Sequence, residues 1–175
     1  MARVTLNRVS ADTTISNTAA ESTMYTYSVP ANMGANGGQR LVLSMLCTLL
    51  NNSAANRTYT MRLKFGATTV IADAMIAIPT STALRSFEIV VEIANDGATN
   101  AQICKMSVFV SAPLAVTTGL AGDYGTAPTE VTSVILNTST LNQTSAQTLA
   151  VTIQSDAATA TQTIVMRNAI LEMIT

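Results

Sequence analysis

Histidine is absent from the 175-residue sequence. That removes the commonest general base, the Ser-His-Asp and Cys-His arrangements, and every His-ligated zinc or iron site. Tryptophan is absent too, and aromatic residues make up only 4%. Sugar platforms and base-stacking surfaces depend on exposed rings, so neither has much to be built from. Two cysteines are too few for a structural zinc site. Charge is also scarce, at 11% of residues against roughly 25% in an ordinary soluble domain. The net charge of −1 leaves no electrostatic footprint for nucleic acid or an anionic membrane. The longest apolar stretch, 41–50, is interrupted by Ser44 and Thr48 and is too short to cross a bilayer. Residues 1–8 carry no apolar signal core, so synthesis and first folding are expected in the cytoplasm. The expectation is a protein that is not an enzyme, needs no cofactor or metal, and has neither nucleic acid nor membrane as partner.

What is present is 48% hydrophobic residues, with Thr, Ser, Asn and Gln dominating the rest. Low charge with a normal apolar fraction argues against disorder, and the length suits one domain with one core. A surface of hydroxyls, amides and methyl groups desolvates at low cost, which suits assembly. Cys47 and Cys104 each sit inside an apolar run. They read as two buried thiols behaving as small hydrophobes, with a cross-strand disulfide as the alternative.

The periodicity is that of strands. In 57–65, Tyr59, Met61, Leu63 and Phe65 alternate with Thr58, Thr60, Arg62 and Lys64, a pattern with period two that places one set inward and the other outward. Residues 87–93 repeat it, with Phe87, Ile89, Val91 and Ile93 inward and Glu88 and Glu92 outward. Further strands are expected at 3–9, 23–29, 40–50, 68–73, 102–111, 131–136, 147–153 and 163–174, the last with imperfect alternation. Turn chemistry separates them at 30–38, 51–56 and Asn95-Asp96-Gly97, and Phe65-Gly66-Ala67-Thr68 reads as a tight hairpin turn. The expected fold is all-β, an antiparallel β-sandwich that is jelly-roll-like. Residues 1–22 divide into a strand or extended arm and a polar linker, and 23–175 form the sandwich. A long loop runs over 114–129, a length that often carries contacts.

Candidate chemistry is thin. Glu88 and Glu92 lie four apart on one strand face, so their Cα atoms are about 13 Å apart. An inverting glycosidase pair needs carboxyl groups roughly 6.5–9.5 Å apart, so the two glutamates read as a solvated face. Asp123 and Tyr124 in the long loop are the remaining candidates for metal or sugar, and a solvated loop is the plainer reading. Gly34 to Arg40 lacks the Gly-Lys-Ser/Thr ending of a phosphate loop. Tyr25 and Tyr27 would share one strand face, where core packing is the plainer role.

The run Tyr27-Ser28-Val29-Pro30-Ala31-Asn32-Met33-Gly34-Ala35-Asn36-Gly37-Gly38 leads into the apolar strand Leu41-Val42-Leu43. Leu50-Asn51-Asn52-Ser53, Arg57-Thr58-Tyr59-Thr60-Met61-Arg62-Leu63-Lys64-Phe65-Gly66 and Thr68-Thr69-Val70 follow, with a fainter continuation through Ala98-Thr99-Asn100-Ala101-Gln102. Together these segments resemble jelly-roll structural proteins of tailed bacteriophages, the head decoration (cement) proteins and fibre domains, over residues 22–175. The resemblance implies a virion component and a homotrimer, and it carries over no functional residue. The expectation is a capsid decoration protein on the outside of the head, with the major capsid protein and its own copies as partners. Arg3, Val4, Leu6 and Arg8 would make the protein contact by strand addition, and Tyr124 is a further contact candidate. The alternative is a phage tail or neck fibre, or a receptor-binding domain that recognises a host surface glycan through the 114–129 loop.

Overall fold

Alternation at a period of two requires a surface buried on one side only. The computed structural model supplies it as two antiparallel sheets packed into a sandwich. The structure describes residues 2–33, 38–75, 77–111 and 131–175. The 114–129 loop with Asp123 and Tyr124, and residues 34–37 of the 30–38 loop, lie outside the described residues. Within them are the strands β1 (Arg3–Val9), β2 (Thr13–Ser16), β3 (Ser22–Val29), β4 (Arg40–Asn51), β5 (Tyr59–Phe65) and β6 (Thr68–Ala74). They continue with β7 (Arg85–Ala98), β8 (Ala101–Val110), β9 (Val131–Ser139), β10 (Gln147–Ser155) and β11 (Gln162–Ile174).

Pairing is nested. The hairpin β5–β6 lies at the centre of the nest, β4 pairs with β7, β3 with β10, and β1 and β2 with β11. A long antiparallel hairpin folded over in this way gives two sheets, β1/β2-β11-β4-β7-β8-β9 and β3-β10-β5-β6. That is the rolled hairpin of a jelly roll. The β8–β9 hairpin is inserted between β7 and β10 and widens the first sheet at one side.

The inward residues expected at 57–65 and 87–93 are those that meet in the core. Tyr59, Met61, Leu63 and Phe65 from the second sheet are buried, as are Leu43, Cys47, Leu49, Phe87, Ile89 and Val91 from the first. Full burial of each large apolar side chain contributes about 1.5–3 kcal/mol. The hairpin turn is also where the sequence placed it. Gly66 has φ 63°, the positive value at the first loop position that a type II′ turn requires. A Cβ there would lie 2.7 Å from Leu141 Cδ1, so any larger residue would also have to displace that side chain.

One reading is corrected, and two open ones are decided. Residues 10–22 are not a plain linker, because Thr13–Ser16 pair with Thr163–Met166 of β11. Cys47 and Cys104 are both free and buried, on strands separated by β7, so the disulfide alternative falls. Burial pushes both thiols up to about 12. The imperfect alternation of 163–174 has a cause in a β-bulge between Met166 and Asn168. Ile164 and Met166 face the core before it, and Ala169 and Leu171 after it, so one extra residue switches the inward parity from even to odd.

Candidate functional site

Each edge of the first sheet, and each outer face, is a surface on which a partner can act. At one edge, β11 is covered by β1 over Ala169–Ile174 and by β2 over Thr163–Met166. The bulge lies between the two pieces, and there Arg167 is paired with Asp12. β1 has a register irregularity of its own between Thr5 and Asn7. The 3–9 segment thus takes the strand alternative over the free arm. Arg3 pairs with Glu172 at 3.3 Å, Leu6 packs against the core, and Val4 and Arg8 are exposed. These four residues do lie together on one edge strand, whose outer side has no strand partner among the described residues. Tyr124 lies outside the described residues.

The opposite edge is built differently. β9 pairs with β8 over nine residues without a register shift and contains no charged residue. Its outward side chains are among the most exposed large apolar groups described, Leu136 at 67% and Val134 at 61%. On the same outer face, β8 presents Ile103 and Phe109. The register sets Leu136 opposite Lys105 and Val134 opposite Ser107, so Ile103 and Phe109 lie diagonally beside them, within reach of large side chains. One contiguous apolar strip results. On the neighbouring strand, Glu92 bonds both Arg40 at 3.2 Å and Lys105 at 3.3 Å. The acidic residue singled out as a solvated face is therefore engaged by two cations.

Sequence reading missed this strip, although a signal for it was present. Val134-Ile135-Leu136 is a run of three apolar residues inside a strand, and in 102–110 Ile103 and Phe109 stand on the parity opposite to Cys104, Met106 and Val108. A strand that alternates strictly cannot hold such runs, so both of its faces must be apolar.

The outer face of the second sheet is polar. Glu21 reaches across it to Lys64 at 2.5 Å and Arg62 at 3.6 Å and accepts a hydrogen bond from Thr152 at 2.6 Å. The bond from Lys64, then that from Thr152, holds the Glu21 carboxyl below the usual carboxylate range. Arg62 in turn donates to Gln154 at 2.9 Å. Here the polar side chains pair with one another, although the buried Nη1 of Arg62 makes no hydrogen bond.

Two buried polar groups were also not foreseen. Gln162 donates to Tyr59 Oη at 2.7 Å and Ser155 Oγ at 2.6 Å, joining three strands inside the sandwich. Burial raises the Tyr59 phenol to about 12 against the opposing effect of Gln162. Asn51, expected in a loop, is buried and donates to the carbonyls of Ala55 and Ile78, which shapes the 51–56 turn. A shallow cleft of about 340 Å³ lies between β6 and β9, lined by hydroxyl and amide groups including Thr68, Thr69, Asn137 and Thr138. Asn137 at its floor is committed to the Val70 carbonyl at 2.6 Å. Among the described residues no group of three or more acidic or cysteine side chains is arranged to hold a metal ion.

No family model matches the chain, and no curated protein matches it. Among solved structures it is similar to the CBM2 module of the evolved Dit of Lactobacillus casei BL23 phage J-1. That likeness has 8% identity, a TM-score of 0.35, and coverage of 84% of this chain and 67% of that one. It is also similar to lectin I from Ulex europaeus, with 9% identity, a TM-score of 0.29, and 88% and 77% coverage. A third likeness is to a structure of infectious bursal disease virus, Gt strain, at 13% identity and TM-score 0.32, covering 98% of this chain and 40% of that one. At these identities and scores the likenesses carry no argument about what the chain does.

Proposed function

We propose that this chain is a structural, non-catalytic component of a bacteriophage particle, a decoration protein that seats on the head and clamps neighbouring subunits of the major capsid protein. The observation that carries the structural, assembling part of this reading is the apolar strip on the outer face of β8 and β9. Exposed apolar residues scattered singly need no explanation, but a contiguous strip beside a strand edge that has no partner among the described residues marks a surface used in association. The phage-like phrase over 27–70 supplies the setting, and it also supports a homotrimer. Weak contacts repeated over several protomers give tight net binding by effective concentration, so a particle coat needs no cofactor and no strong single site.

A tail or neck fibre, or a receptor-binding domain for a host surface glycan, is the second reading. The hydroxyl- and amide-lined cleft between β6 and β9 favours it, and the 4% aromatic content works against it because sugar faces stack on rings. Immunogold labelling of intact particles with antibody to this chain separates the two. Gold over the heads is the expected result. Gold confined to the tail or fibres overturns the decoration role, and unlabelled particles overturn both readings.

A further inference from the structure

We infer that the β8–β9 strip is the surface through which copies of this chain bind one another. The inference deepens the proposed assembly role and rests on that reading only for its biological setting. Three features identify a further copy, and not a foreign partner, as the occupant.

First, the strip is electrically neutral in itself. The two cations of this face, Arg40 and Lys105, are balanced by two carboxylates, Glu92, which both contact, and the exposed Glu88 opposite Phe109; β9 has no charge, and the whole chain carries −1. Copies therefore meet without repulsion, whereas the strip offers no field to steer or select a charged partner. Permanent interfaces between identical chains are the class that is most apolar at the centre.

Second, the two edges of the sheet are guarded unequally. Natural sheets protect free edges with charge, bulges and short strands. The β1/β2 edge has all three, with Arg3 and Arg8, a register irregularity and a break between its two pieces. β9 has none of them. An unguarded edge of nine residues is an aggregation hazard unless it is occupied in the working protein.

Third, the dimensions suit the occupant. Nine strand residues span about 30 Å and three strands about 14 Å, so the outer face over β7, β8 and β9 offers roughly 400 Å². The edge of β9, without a strand partner among the described residues and about 30 Å by 10 Å, adds roughly 300 Å². A copy that uses both flanks approaches the ~800 Å² per partner of a standard interface. The edge and the adjoining face are different surfaces of one hairpin, so the edge of one copy can pack on the face of the next and close a ring.

The test is sedimentation equilibrium of the full chain at micromolar concentration. The expected wild-type mass is a multiple of 18.3 kDa. The double variant Val134→Lys, Leu136→Lys is expected to sediment as one chain, with association weakened about a hundredfold, the effect of losing two central apolar contacts. Val134→Thr, Leu136→Thr keeps strand propensity and adds no charge, and it should weaken association to a smaller extent. Thr26→Lys, Thr148→Lys, on the outer face of the other sheet, should leave the mass unchanged. A wild-type monomer overturns the inference, as do V134K/L136K or V134T/L136T variants of wild-type mass. Dissociation by T26K/T148K overturns it as well, since added charge alone would then be the cause. None of these results depends on where gold labels the particle, so the surface and the decoration role fail separately.

Discussion

The two edges of the seven-stranded sheet solve the same problem in opposite ways. An edge strand presents unpaired N–H and C=O groups whatever its side chains. At β1 and β2 the chain closes its own edge with two short pieces, holds them with the pairs Arg3–Glu172 and Arg167–Asp12, and stitches the termini together through Ala2 and Thr175. At β9 a straight, uncharged strand carries exposed Val134 and Leu136. The first edge is finished within the monomer, and the second has the character of half an interface. Low charge over the whole chain thus does not mean uniform stickiness, because the β1/β2 edge carries charged residues and β9 carries none.

Removing residues 2–16 is the most severe test of that contrast. It strips β11 of its partners on the side away from β4 and exposes the core contacts of Leu6, Val9 and Ile15, an expected loss of about 3–5 kcal/mol, measured by urea unfolding. A truncated chain as stable as the full one would show that β1 and β2 are an arm after all. Next in size, Gln162→Leu breaks the buried links to Tyr59 and Ser155 at the start of β11, at an expected cost of about 1–3 kcal/mol with no change in self-association.

Alkaline pH acts on the core beneath both edges. Tyr25 and Tyr59 are raised from 10.0 to about 12, and Cys47 and Cys104 from 9.0 to about 12, each first by burial. A raised folded-state value means that the unfolded chain loses its protons first. The stabilising contribution is therefore complete below about pH 9 and is lost progressively up to about pH 12. A urea midpoint that stayed flat across that window would contradict the burial of these four groups. Smallest of all, salt distinguishes the edges directly. Screening should cost the Arg3–Glu172 pair no more than about 0.5 kcal/mol, and association through β9 should not weaken as salt rises. Association that fell steeply with salt would assign the contact to the charged edge.

Much of the fold was legible because alternation and turn chemistry are local. The inward set Tyr59, Met61, Leu63 and Phe65, the outward glutamates of β7 and the glycine turn at 66 all follow from neighbours within a few residues. β2 was not legible, because Thr13–Ser16 is polar and becomes a strand only by hydrogen-bonding to Thr163–Met166 of β11, far away in sequence. The bulge at Met166/Asn168 left a trace, a broken alternation, but its cause lies in the register of β11 against β4. The candidate contact residues had the same limit. Arg3, Val4, Leu6 and Arg8 were read as a strand or an extended arm, and only the pairing of β1 with β11 decides between the two.

By itself the sequence determined the fold class, the inward face of most strands and the poverty of catalytic groups, since each depends on composition or on a period of two. Strand order, the unequal edges and the apolar strip were decided by tertiary structure. Whether Val134 and Leu136 face a core or solvent depends on which side of the sheet the other layer covers. That layer lies on the side of β9 to which Ile135 points, so Val134 and Leu136, on the opposite side, are left exposed.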